Sequence, residues 1–294
     1  MAANPAFNRL EQDARSGYAA FRDGTTPAAP QGPRAHPQQS YPQQAYGQPG
    51  VPVGQDRLEH MYNAPSATPV QAGRVTMDDV IMKTLGLFAI VLAFGAAGWF
   101  AAATNPGLGF MLWMGGMIGT LILGLVIAFK KTLSVPLILG YAALEGLFVG
   151  AVSQFFETMY GGIVAQAVLA TLATFAGMFA AYKFGLIKVT DKFRRIVTMM
   201  IFGYAIFAVV NFIFAMVTNT AFGFGGSGTV GILISLFAVG LASVSLALDF
   251  DSVDRAIATG APQKYSWLLA HGIIVTLVWL YIEFLRLIAR LRSE

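Results

Sequence analysis

The sequence contains no cysteine, and only 12% of its 294 residues are Asp, Glu, Lys or Arg. The first absence excludes disulfides and thiolate metal sites. The second excludes an ordinary soluble domain, which carries about 25% charged residues. Histidine is also scarce: His36, His60 and His271 lie far apart, with no zinc-ligand spacing. The serines and threonines form no recognisable catalytic pattern with a histidine base, and neither a His-Glu-x-x-His nor a Gly-x-Ser-x-Gly pattern occurs. These absences predict a protein that is not an enzyme and has no resident cofactor or metal. The net charge of +4 is carried by loop lysines and arginines. No basic run is interleaved with aromatics as single-strand binding requires, so nucleic acid is not an expected partner.

What fills the chain instead is apolar sequence, 56% of all residues. Thr84–Phe129 and Ile196–Leu248 hold no ionisable acid or base, and Thr132–Tyr182 holds only Glu145 and Glu157. Each window accommodates two bilayer spans of about 20 residues. Hydropathy places seven spans: Ile81–Ala103, Gly109–Phe129, Val135–Phe155, Ile163–Tyr182, Ile196–Thr218, Val230–Leu248 and Trp267–Ala289. Backbone groups in lipid must be satisfied within the segment, and solid apolar runs exclude an alternating β-barrel pattern. The fold class is therefore an all-α membrane protein, with residues 77–294 as its transmembrane domain and the lipid bilayer as its first partner.

Residues 1–76 differ in kind. They are rich in Pro, Gln, Gly, Ala and Tyr, a composition that predicts a disordered tail. Phe7, Leu10 and Ala14 fall at helical spacing and predict a short amphipathic helix within Met1–Asp23. No signal-peptide pattern opens the chain, so the first span itself is expected to direct insertion. Lys130–Lys131 and the Lys183–Arg195 loop are basic, whereas Thr104–Leu108 and Asn219–Gly228 are uncharged. The positive-inside rule then puts the tail and the basic loops in the cytoplasm, with the protein in the cytoplasmic membrane. Seven crossings leave Arg286, Arg290 and Arg292 on the far side, against that rule. Either the last segment does not cross fully, or protein groups hold those arginines.

Ionisable groups inside spans are candidates for function. Glu145 lies mid-way along the third span. It is either a hydrogen-bonded neutral carboxyl or a proton or cation site. Asp249, Asp251 and Asp254 follow the sixth span. Asp249 still belongs to the apolar run and is the functional candidate, while Asp254, beside Arg255, reads as a solvated helix end. Glu283 and Arg286 stand at i, i+3, within reach of an intrahelical ion pair, and Arg290 continues that face. His271 reads first as a packed residue. Gly115 with Gly119, and Gly146 with Gly150, form small-xxx-small pairs suited to close helix approach.

Several of these residues occur together in one known pattern. Leu144-Glu145-Gly146-Leu147 with Gly150, an aspartate closing the sixth span, and Leu280-Tyr281-Ile282-Glu283-Phe284 in the last resemble the Bax inhibitor-1 family over Met77–Arg292. Asn4–Arg9 resembles the opening of a bacterial branch of that family. The resemblance implies six helices wrapped around a central C-terminal helix. It also implies a pH-sensitive calcium leak, in which acids of the sixth and seventh spans share a proton and latch the pore. By motif Asp249 is the first acid, with Asp251 in reserve, and Glu283 the second; Glu145 matches the acid of the third span. On a straight last helix, Glu283 lies about 24 Å along the axis from Trp267, so the latch requires a break or re-entrant turn before Glu283, for example at Gly272, or a deeper linker through Ala256–Pro262. Calcium or another cation in transit is the ligand this reading implies. The alternative is a non-conducting regulator that binds a membrane protease or other membrane partner through its tail.

Overall fold

The computed structural model describes residues 73–130, 132–220 and 222–293. The expected helix within Met1–Asp23, most of the expected tail and Lys131 lie outside the described residues. Seven helices, each long and apolar enough to cross a membrane, make up the described chain. They are α1 (Met77–Thr104), α2 (Pro106–Phe129), α3 (Val135–Met159), α4 (Ile163–Lys183), α5 (Asp191–Thr218), α6 (Thr229–Ala258) and α7 (Tyr265–Arg292).

Local chemistry sets the ends. The Thr76 hydroxyl accepts from the Asp79 amide at 3.2 Å and opens α1. Asn105 closes α1 and caps α2, its Oδ1 accepting from Leu108 N at 3.1 Å, with Pro106 in the first turn. Glu157 closes the α3–α4 turn: its carboxylate accepts from the Gly162 amide at 2.6 Å and from the Val164 amide at 3.1 Å. That is its structural role, at the positive end of α4.

Helix α7 packs against four neighbours. It contacts α1, α3, α4 and α6, and contributes side chains to each of the four apolar core clusters. By contrast α2 leans on α1 and α3, and the backbone of α5 comes close to α6 alone among the described helices. The closest approach is α1 on α3. A Cβ added at Gly146 would stand 2.6 Å from the Val91 carbonyl oxygen. One added at Gly150 would meet the Gly95 carbonyl oxygen, and the Trp99 nitrogen at 2.7 Å. The second expected pair is only half in place. Gly115 faces open space, while the neighbouring Gly116 and Gly119 accommodate Phe148 and Leu144.

Two boundaries differ from expectation. Gly73–Thr76, assigned by composition to the tail, includes an ordered clip. Val75 N donates to Ala261 O at 2.8 Å and Gln263 N to Gly73 O at 2.7 Å, with Val75 buried. The sixth helix does not end at Leu248 but runs to Ala258, where Asp251 is held by Arg194 and Arg255 and Asp254 by Tyr182.

Candidate functional site

One turn of α7 lies between two buried carboxyl groups. On α3, Glu145 is buried at 3% exposure, and its Oε1 accepts from the Tyr141 hydroxyl one turn earlier at 3.0 Å. Its Oε2 is buried without a hydrogen-bond partner among the described residues. The ring of Tyr141 stands edge-on to His271 of α7, with centroids 4.5 Å apart. His271 is thus a packed, buried side chain, as its isolation in the sequence suggests.

On α6, Asp249 faces the next residue of α7. Gly272 has no side chain there, and a Cβ at that position would lie 3.6 Å from Asp249 Oδ1. Asp249 Oδ2 is buried and has no partner among the described residues. The nearby Thr276 hydroxyl is committed to the Gly272 carbonyl at 3.1 Å. The His271–Gly272 step therefore separates two acids, each with one unpaired buried oxygen.

Glu283 is elsewhere, and this corrects the expected latch. Helix α7 is continuous from Tyr265 to Arg292, with no break at Gly272. The eleven residues from Gly272 to Glu283 put the second acid about 16 Å further along the axis. There Glu283 Oε1 accepts from Tyr204 of α5 at 2.7 Å, from Trp279 Nε1 at 3.2 Å and from Arg286 at 3.4 Å. The intrahelical pair with Arg286 is present; a pair with Asp249 is not. Nor does Asp251 replace Asp249, because Asp251 is bound by Arg194 of α5 and by Arg255, the latter at 2.8 Å. Asp254 is exposed and accepts from Tyr182 at 2.7 Å, a solvated helix end tied to α4.

The arginines at the end of α7 are held by protein groups. Buried Arg290 donates to the carbonyls of Gly231 and Phe222 and to Ser235 Oγ, the last at 2.7 Å, and covers the Phe222 ring. Arg292 donates to the carbonyls of Tyr160 and Gly161 and to Gln166. The last helix thereby ties together the α3–α4 and α5–α6 connections.

Tyr141 and Trp279 carry a signal that sequence reading passed over: each stands four residues before the glutamate it serves, on the same helix face. Tyr204 and Arg194 carry none. They reach their acids across helices, which spacing along the chain does not encode.

A family model described as Bax inhibitor 1 like matches residues 4–293, nearly the whole chain. The chain belongs to that family. No curated protein matches it. The resemblance read from the third, sixth and seventh spans is thus shown at family level, together with the seven-helix membrane fold.

Proposed function

We propose that this Bax inhibitor 1 like protein is a pH-sensitive leak for cations, calcium among them, through the membrane it spans. One observation carries the reading: Glu145 Oε2 and Asp249 Oδ2 are both buried and unpaired, on helices that flank the same step of α7. An ionised carboxylate without a partner in a low-dielectric interior is costly, and it is neutralised by a proton or by a cation. Two such groups beside one helix make a place where protons and cations exchange. At low pH protons occupy both acids and the bundle stays closed. As pH rises, the acids shed protons and cations take their place. The separate Glu283 cluster is satisfied by three donors and serves to hold α5 against α7 in this account.

The test is calcium entry into liposomes containing the full chain, across about pH 6–8. Flux is expected to rise with pH in the wild type. Asp249→Asn and Glu145→Gln are each expected to flatten that response, because amides neither titrate nor attract a cation. If both variants keep the wild-type flux and pH profile, the two acids are not the site. If the wild type passes no cation at all, the non-conducting regulator of a membrane partner is the better reading.

A further inference from the structure

The connection between α4 and α5 presents a combination that the bundle does not use. Helix α4 ends in a reversed turn: Gly185, at φ 71°, sits between amide bonds from Gly185 N to Tyr182 O at 3.0 Å and from Leu186 N to Ala181 O at 2.9 Å. In such a C-terminal motif the apolar residue after the glycine ordinarily packs back on its own helix. Here Leu186 is 78% exposed and Phe184, just before the glycine, is 79% exposed. Around them Lys183, Lys188, Lys192 and Arg195 are all exposed, and none takes part in an ion pair among the described residues. Arg194 is different, since it is already bound to Asp251. The one acid in the segment, Asp191, accepts from Arg255 at 3.3 Å.

We infer that this connection is a docking surface for anionic phospholipid headgroups. The position argues for lipid over a soluble anion. Both flanking helices are membrane spans, so the loop emerges where headgroups lie, with two large apolar side chains available to the acyl boundary and four unengaged cations beside them. Basic residues next to a span attract an anionic leaflet, and exposed apolar residues add area buried in it. A free phosphate has no use for Phe184 and Leu186. Through Arg194–Asp251 and Tyr182–Asp254 the same segment is tied to the end of α6, just beyond Asp249.

The experiment uses the purified full chain in a neutral detergent, with phosphatidylglycerol, phosphatidylcholine or inorganic phosphate added. Phosphatidylglycerol is expected to raise the melting temperature, and the other two are not. Lys188→Gln/Lys192→Gln/Arg195→Gln is expected to weaken phosphatidylglycerol binding about 100-fold, with an unchanged melting temperature when no lipid is added. Native mass spectrometry is expected to show correspondingly fewer retained phosphatidylglycerol molecules. Should the triple variant fold poorly, Phe184→Ser/Leu186→Ser, which leaves every charge in place, is expected to lower lipid retention on its own. The inference is overturned if the triple variant keeps the full phosphatidylglycerol shift, if phosphatidylcholine gives an equal one, or if the serine variant retains lipid as the wild type does. An equal shift with inorganic phosphate would mark a soluble-anion site and overturn the lipid assignment.

Discussion

The Tyr204 hydroxyl donates to Glu283 Oε1 at 2.7 Å, and among the described residues this is the one side-chain hydrogen bond that links α5 to α7. The ring of Tyr204 also stacks on Trp279, 5.6 Å between centroids, and the Trp279 indole donates to the same oxygen. Helix α5 needs such contacts. Its backbone comes close to α6 alone among the described helices, and Val197 is the sole residue of its length that is fully buried. Polar clasps, not interlocked side chains, fix its position: Arg194 on Asp251 at one end and Tyr204 on Glu283 further along.

Tyr204→Phe is therefore expected to loosen α5 while leaving the remaining six helices packed. The loss of a buried hydrogen bond to a carboxylate is about 1–3 kcal/mol. It should register as a lower melting temperature and as faster proteolysis at the α4–α5 and α5–α6 connections. Unchanged protease sensitivity would show that apolar contact, the ring on Trp279 included, holds α5 without the hydroxyl.

The glycine contacts yield a prediction with a built-in control. Gly146→Ala and Gly150→Ala drive a methyl into the α1 backbone, and overpacking of this kind costs about 1–3 kcal/mol. Gly115→Ala meets nothing within 4 Å and is expected to leave the melting temperature unchanged or slightly raised. Equal effects of the three substitutions on thermal stability would contradict the α1–α3 packing described above.

These glycines also show how far the sequence is legible. Seven charge-poor runs suffice to locate seven helices, since lipid permits little else. The pair Gly146 and Gly150 is correctly placed by its four-residue spacing. Gly115 is not, because its neighbour Gly116 points about 100° away and is the one that meets α3. The end of α6 was misplaced for a different reason. Three aspartates in a row of six residues look like an exit from the membrane, but folding brings Arg194 and Arg255 to Asp251 and Tyr182 to Asp254, and the helix continues. The same holds for the acids of the candidate site. Composition identifies Glu145, Asp249 and Glu283 as costly, but which of them face each other depends on the axial position of α7. A pair of Asp249 with Glu283 needs that helix broken or its linker deeper, and the helix is continuous.

Arg290 is expected to matter far more than Arg292. Its guanidinium reaches two carbonyls and a hydroxyl from a buried position, and removal orphans these acceptors at about 1–3 kcal/mol for each one that stays dry. Arg290→Met should strongly lower the melting temperature. Arg290→Lys should rescue it only in part, since an ammonium cannot fork across the same set. Arg292→Ala removes contacts that are already exposed to the surroundings, and the expected change is under about 1 kcal/mol. Thermal melts of the three proteins check the order.

Gly272 offers the sharpest contrast between a hinge and a plain helical residue. A hinge role requires glycine, whose backbone freedom the break would use. The structure instead has Gly272 in the middle of continuous α7, with room for a methyl at ordinary contact distance, 3.6 Å from Asp249 Oδ1. Gly272→Ala is therefore expected to fold normally and to gain up to about 1 kcal/mol from helix propensity. The added methyl also covers Asp249 from one side, which hinders a cation from approaching it. Calcium flux in liposomes should fall while the melting temperature holds or rises. A variant that melts early would mean that α7 needs flexibility at this position, and a variant with unchanged flux would mean that cations do not pass Asp249.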